Sequence, residues 1–470
     1  MERQPPAVPT HRPRRGAGRH NLPVQPTALI GREAELAVVR RQLREADRRL
    51  VTLTGPAGVG KTRLALAVAE TLLDDFRDGV HFVSLAPLTD PDLVFAAIAQ
   101  VVGVPEARGR SRTQGVIANL RGKQVLLVLD NFEHLLTTAP GLAELLAGCP
   151  EVKLLATSRA SLRLRWEHEQ PVLPLALPEE GRMADLEAVS RSAAVALFVQ
   201  RAEAVRPEFA LAPADAPTVA AICRRLDGLP LAIELAAARI RVLSPQELLA
   251  RLEHSLAVLT GGARDLPTRQ QTLQQAIAWS YDLLTTGEQA LFRWLGIFSG
   301  GCTLEAVECV CQAAGGSTAD AFEGLASLLD MNLVQRVETR PGEARFTMLQ
   351  TIREFALERL AAARETKTVR RWHMEYFLGI AEEAEPRLRG RESYRWLTRL
   401  EDEHGNLRAA LACSLTDAAE AETGLRLAGA LSFFWMRRGY HSEGRMWLGR
   451  AHRCSSDRAR WRRVSRSPAG

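Results

Sequence analysis

Eight consecutive residues carry the most chemistry in this chain: Gly55, Pro56, Ala57, Gly58, Val59, Gly60, Lys61 and Thr62. They fit G-x-x-x-x-G-K-[ST]. In such a loop, glycines let backbone N–H groups curl around phosphate oxygens. The lysine reaches the β- and γ-phosphates, and the Thr hydroxyl holds Mg²⁺. The plainer alternative is a Gly-rich turn with no ligand, and the flanks weigh against it. An apolar, β-prone stretch, Leu50 to Thr54, precedes the loop. A helical pattern follows it, with Leu64, Ala65, Val68, Ala69, Leu72 and Leu73 on one side. The start of that helix, Lys61, Thr62 and Arg63, aims its partial positive charge at the same anion.

Val125-Leu-Leu-Val-Leu-Asp130 reads as a buried strand ending in a carboxylate. A P-loop enzyme needs such a carboxylate beside its metal ion, so Thr62 and Asp130 are the expected Mg²⁺ ligands. Asn131 stands where many fast NTPases place a second acid. An amide cannot take a proton from water, so the expected activity is a slow ATPase at most. Glu133 is a candidate base; its alternative is an exposed loop carboxylate. Leu154-Leu-Ala-Thr157-Ser-Arg159 is a strand with a polar end. An arginine there can report the γ-phosphate through charge-assisted bonds, against the alternative of one more surface arginine. Lys61, Asp130 and Arg159 form the expected catalytic set.

Composition narrows the setting of this site. At 470 residues the chain is long enough for about three domains. Hydrophobic residues make up 46%, which suits ordinary buried cores. No apolar run approaches the roughly 18–20 residues of a membrane span. The Arg- and Pro-rich N-terminus lacks the apolar segment of a secretory signal. Seven scattered cysteines point to reduced thiols in a cytoplasm rather than to zinc. The net charge of +6 conceals an asymmetry: residues 1–20 carry +4 and residues 450–470 carry +6, leaving −4 between them. A basic nucleic-acid face is therefore not expected in the middle. Four of the 61 basic residues are lysines, a bias of coding composition that leaves most arginines needing no functional account.

The pattern along the chain predicts seven parts. Residues 1–27 read as a disordered leader. Residues 28–180 alternate short apolar runs with helices, the signature of a parallel α/β sheet, with strands at 50–54, 79–85, 124–129, 152–157 and 171–174. A helical subdomain spans 185–262, with helices through Ala193 to Ala202, Val219 to Leu226, and onward from Gly228-Leu-Pro230. A winged helix occupies 266–347, its two strands (333–337 and 344–347) flanking a Pro341-Gly342 turn. A helical linker bundle covers 348–415. Residues 420–454 form one tetratricopeptide-like hairpin on the spacing of Leu431, Trp435, Gly439, Gly444, Leu448 and Ala451, where such arrays need about three repeats. An ordinary terminal helical hairpin is its alternative. Residues 455–470 are a basic tail, and the loss of apolar periodicity there suggests a truncated relative of a longer regulator.

Taken in order, these motifs resemble a STAND-class signalling ATPase with the NB-ARC arrangement of bacterial LuxR-type regulators. Leu29-Ile30-Gly31-Arg32-Glu33 resembles the family's N-terminal motif, which implies that Ile30 and Arg32 line an adenine pocket. Gly228-Leu-Pro230-Leu-Ala resembles the segment that implies Pro230 packs on adenine; physics alone makes it an ordinary first-turn proline. Ala278-Trp-Ser-Tyr-Asp-Leu-Leu284 through Leu304 resembles the winged-helix segment. Many relatives carry Met-His-Asp on the ADP phosphate where this chain has Met348-Leu349-Gln350, so that contact is absent. The resemblance covers about 28–450.

It implies a cytoplasmic switch that binds ATP or ADP with Mg²⁺, self-associates in the ATP state, and receives a protein or small-molecule inducer through C-terminal helical repeats. DNA would be bound weakly or not directly, and membranes not at all. Two other functions compete. One is a winged-helix transcription factor that reads DNA itself, and the other is a dedicated ATP-hydrolysing motor. The missing basic stripe argues against the first and Asn131 against the second.

Overall fold

The computed structural model describes residues 20–464 apart from 89, 105–110, 180–184, 255–258, 260–271, 341–342 and 415–419. The chain divides into two compact units, Met1–Arg224 with Gly228–Arg251, and Arg225–Asp227 with Leu252–Gly470.

The first unit begins with α1 (Glu33–Arg44), β1 (Leu50–Thr54), α2 (Lys61–Thr71), β2 (Gly79–Ser84), α3 (Val94–Val101), α4 (Arg112–Leu120), β3 (Val125–Asp130), α5 (Ala139–Gly148), β4 (Lys153–Thr157) and β5 (Glu167–Pro171). The strands make one parallel sheet in the order β2-β3-β4-β1-β5. Every residue of β1 and β3 is buried, as expected for strands covered on both faces. β4 lies between β1 and β3, pairing Leu50 with Leu154 on one side and Leu127 with the same Leu154 on the other. The end of β4 is thereby wedged between the phosphate loop and Asp130.

Two expectations need correction here. The fifth strand is Glu167–Pro171, not 171–174. An edge strand has one open side and tolerates a polar sequence, so the apolar Val172 and Leu173 drew the expected strand too far along. Val172 still donates its N–H to Thr54 O, at 2.7 Å. The leader is also shorter than expected. His20 bridges Val80 in parallel, and the Asn21 amide exchanges two hydrogen bonds with the Phe82 backbone, at 2.6 and 2.8 Å. Residues 20 and 21 therefore line the β2 edge of the sheet, and residues 1–19 lie outside the described residues.

The unit continues through α6 (Leu186–Ser190), α7 (Ala193–Val205), α8 (Ala216–Arg225), α9 (Pro230–Ala237) and α10 (Pro245–His254). Pro230 takes the first helical position of α9, where its missing N–H costs nothing.

The second unit runs through α11 (Leu273–Asp282), α12 (Thr286–Leu295), α13 (Leu304–Ala313), α14 (Thr318–Asp330), β6 (Gln335–Arg340), β7 (Glu343–Thr347), α15 (Gln350–Ala362), α16 (Thr366–Arg387), α17 (Ser393–Asp402), α18 (His404–Ser414), α19 (Ala421–Ala430), α20 (Ser432–Arg438) and α21 (His441–Val464). Helices α12 to α14 followed by the antiparallel β6–β7 pair make a winged helix. Capping boxes start α12 at Thr285–Glu288 and α14 at Ser317–Asp320. Cys302 pairs with Phe346 through two backbone bonds of 2.8 and 2.9 Å and widens the wing. The Pro341-Gly342 turn lies outside the described residues. Arg345 on β7 grips Glu403, and Asn406 of α18 donates to Gly301 O and Glu403 at 2.9 and 2.7 Å. The wing is thus tied through Arg345 to the α17–α18 junction. At the last helices Trp435 packs on Gly444, where a Cβ would come within 2.9 Å of the ring. Helix α21 runs on to Val464, well into the stretch expected as a tail, because a helix can continue without an apolar stripe.

Candidate functional site

The phosphate loop is shaped by its glycines. Gly55, Gly58 and Gly60 have φ of 146°, 76° and 96°, which side chains oppose. Gly60 caps α2, and the helix begins at Lys61. Lys61 Nζ donates to Gly55 O at 2.7 Å and Pro56 O at 3.1 Å. Burial pushes its ammonium down to about 8, with Glu133 opposing that shift, Arg159 adding to it and Asp130 opposing it. An anion beside such a group stabilises its charge against that burial.

Thr62 Oγ1 donates to Asp130 Oδ1 at 2.6 Å, so the two expected metal ligands meet. Thr157 Oγ1 donates to the same oxygen at 2.7 Å and accepts from Asn131 N at 2.9 Å. Sequence reasoning gave Thr157 no role. Its signal was its place at the end of the strand inserted between β1 and β3. The hydroxyl and carboxylate form an oxygen-only donor pair, which suits a hard cation such as Mg²⁺. The left-handed glycines and this donor pair fit a nucleotide phosphate with Mg²⁺.

Glu133 is not the exposed loop carboxylate that its polar neighbourhood allowed; it is 4% exposed. Asn131, at φ 68°, turns the chain after β3, and Phe132 anchors it in the core. Glu133 Oε1 accepts from Asn131 Nδ2 at 2.9 Å and pairs with Arg159 Nε at 3.1 Å. Arg159 is 5% exposed, which excludes a surface arginine.

The remaining expected residues divide into two groups. Leu231 N donates to Gly58 O at 3.1 Å, and a Cβ on Gly58 would lie 2.9 Å from Leu231 Cβ. Pro230 Cγ would stand 4.0 Å from a Cβ on Gly60. The start of α9 therefore rests on the phosphate loop. Arg32 is buried and donates to Val59 O at 3.2 Å and Leu173 O at 2.6 Å, bracing the loop from behind. Ile30 is half-buried beside Gly31, whose close approach to Ala193 leaves no room for a Cβ. The Arg63 side chain turns to Thr27 and Glu234 instead of the loop, at 2.7 and 3.4 Å, so α2 offers phosphate its backbone there. Leu349 stands where relatives were expected to have histidine, and the next residue, Gln350, opens α15; the N–H groups of Gln350 and Thr351 donate to Asp227 at 3.0 and 2.8 Å. Among the described residues, no helix is long and apolar enough to cross a membrane, and no cluster of His, Cys, Asp and Glu could hold a metal.

Two family models match this chain: an AAA domain over residues 44–166 and a winged helix-turn-helix domain over 284–361. The chain is 40% identical over 407 residues to a Mycobacterium tuberculosis protein provisionally named HTH-type transcriptional regulator Rv0890c. That match takes in 86% of this chain and 44% of the relative, so the chain spans under half its length. It is 28% identical over 310 residues to the regulatory protein AfsR of Streptomyces coelicolor, covering 63% of this chain and 28% of AfsR. A solved STAND protein with a tetratricopeptide repeat sensor from Pyrococcus horikoshii covers 92% of this chain and 64% of its own at 15% identity and a TM-score of 0.30; a likeness that loose carries no argument. The uncharacterized M. tuberculosis protein Rv0894 is 39% identical over 350 residues, 73% of this chain and 84% of that protein. The chain therefore belongs to the family of Rv0894, and it joins an AAA-type P-loop ATPase fold to a winged helix.

Proposed function

We propose that the chain is an ATP/ADP-operated signalling switch of the STAND class, in the NB-ARC arrangement, that regulates transcription in the cytoplasm. The observation that carries this is the phosphate loop with Thr62 and Asp130 brought to 2.6 Å. Bound Mg²⁺, held by Thr62 and Asp130, would supply charge neutralisation at the β- and γ-phosphates. Lys61 binds phosphate, Arg159 answers to the γ-phosphate, and Pro230, Ile30 and Arg32 shape the base side. The functional parts are those of the sequence: nucleotide-binding domain at 28–180, helical subdomain at 185–262, winged helix at 266–347, linker bundle at 348–415 and a tetratricopeptide-like hairpin at 420–454. ADP favours one population and ATP another that self-associates, with an inducer acting through helical repeats. The names of the relatives support a transcriptional output.

A winged helix can also read DNA directly. Against that stands α14, the third helix, which in such folds enters the groove. It carries Asp320, Glu323 and Asp330 and no Lys or Arg. The test of the switch is calorimetric titration of ATP and ADP, with and without Mg²⁺, followed by size measurement in each state. No nucleotide binding, or binding that leaves mass and shape unchanged, would reject it.

A further inference from the structure

Glu133 sits in a connected run of short contacts that begins at the phosphate loop. Thr62 meets Asp130 at 2.6 Å, and Asp130 meets Thr157 at 2.7 Å. Thr157 meets the backbone of Asn131 at 2.9 Å, and the Asn131 amide meets Glu133 at 2.9 Å. Arg159 closes the run on the same Glu133 oxygen, Oε1, at 3.1 Å. The other oxygen, Oε2, is buried and has no hydrogen-bond partner among the described residues. A buried carboxylate oxygen is costly to leave unmatched, and folded proteins rarely do so without a use.

The position is also rigid. The left-handed Asn131 and the fully buried Phe132, whose N–H donates to Thr157 O at 2.9 Å, give Glu133 one backbone course. Through Asn131 and Thr157, Glu133 is linked to Asp130 Oδ1, which meets Thr62 of the phosphate loop. Asn131 cannot serve as a base, and Asp130 is the expected metal ligand with two hydroxyls on its Oδ1, which leaves Glu133, with its buried Oε2, as the base.

Resting on the nucleotide reading above, we propose that Glu133 is the catalytic base for a slow nucleoside triphosphate hydrolysis, with Asn131 and Arg159 holding Oε1 so that Oε2 takes the proton. Water oxygen bonds to the γ-phosphorus and the bond to the β–γ bridging oxygen breaks. The bridging oxygen leaves with the electron pair on the diphosphate, and the water proton goes to Glu133 Oε2. Arg159 is a positioning residue in this step.

The test uses the full chain as wild type, Glu133→Gln and Glu133→Asp. ATP and ADP affinities are measured by calorimetry with Mg²⁺, and phosphate release is followed in single turnover with protein in excess. Glu133→Gln should bind both nucleotides within about threefold of wild type and release phosphate at least about 100-fold more slowly, the usual scale of a lost general base. Glu133→Asp, which keeps the charge opposite Arg159 but shortens the reach, should keep ADP affinity and fall between the two in rate. Should Glu133→Gln fail to fold, the Asp variant decides alone. Phosphate release by Glu133→Gln at the wild-type rate overturns the assignment. So does a wild-type chain that binds ATP and releases no phosphate over a day, and so does Glu133→Asp with an unchanged rate. A wild-type chain that binds neither nucleotide rejects the switch reading itself, and this inference with it.

Discussion

Arg345 and Glu403 are joined by two nitrogen–oxygen contacts, of 2.5 and 3.0 Å, with both side chains under one-tenth exposed. The guanidinium also donates to Gly301 O at 3.0 Å. One residue lies on the wing and the other between α17 and α18, so the pair fixes the wing to the helical bundle. Breaking a buried pair strands the remaining charge, at a cost of about 3–5 kcal/mol. Arg345→Met alone should therefore destabilise the second unit strongly, while Arg345→Met with Glu403→Leu should recover most of the loss. Denaturant midpoints of the three proteins check this; equal losses in single and double variants would contradict it.

Lys61→Ala should weaken ATP and ADP by at least tenfold without unfolding the chain. Phosphate bonds from a charged donor contribute about 1.5–3 kcal/mol each, and the residue closes no core. Calorimetry that shows unchanged affinity would remove the phosphate-loop assignment.

Arg159→Ala should weaken ATP more than ADP, since only ATP offers the γ-phosphate. The structure adds a second effect. The substitution leaves Glu133 buried without its counter-charge, so melting temperature should fall as well. Arg159→Ala combined with Glu133→Gln should restore stability but not ATP preference. Equal weakening of both nucleotides, measured by titration, would contradict the sensor role.

His373 gives the second unit an acid sensitivity. Burial pushes its imidazole down to about 4, with an Asn406 hydrogen bond opposing that shift and Arg353 adding to it. The folded state refuses a proton that the unfolded chain accepts from pH 6.5 downward. Stability should therefore be full above pH about 6.5 and fall progressively to pH about 4, by up to about 3 kcal/mol. His373→Phe should flatten this dependence, because Phe298 and Phe377 already pack on the ring. Chemical unfolding across that pH range reads the difference.

DNA binding should be weak and indifferent to sequence. The exposed face of α14 presents Asp320 and Glu323, which repel phosphate, and the uncharged Phe322. Any affinity should come from the terminal arginines and vanish by about 200 mM salt. Deletion of residues 1–19 and 465–470, with the arginines of 450–464 replaced by Gln, should remove it. A footprint on a defined promoter that survives those changes would return the DNA-reading role to the winged helix.

The phosphate loop was legible because glycines at 55, 58 and 60 are needed for backbone angles that other residues resist. Asp130 was legible because an apolar run so continuous belongs to a strand buried on both faces. Glu133 was legible as a candidate base but its burial was not, since a single apolar anchor, Phe132, reverses the apparent exposure of a polar segment. Nor was the fifth strand, whose edge position frees it from apolar patterning. Arg345 and Glu403 lie 58 residues apart, and nothing local in either segment announces the other.

The short stretch at His20 and Asn21 bears on how self-association should be measured. β2 is an end strand of a sheet whose central strands are almost wholly buried, and open strand edges recruit other chains. Those two residues occupy part of that edge. A shortened protein that starts beyond Asn21 would expose Val80 and Phe82 backbone to strand addition. Its oligomers would then grow with concentration and heat whatever nucleotide is present. Constancy of mass in ADP, for a chain that retains His20, is the control that separates a switch from a sticky edge.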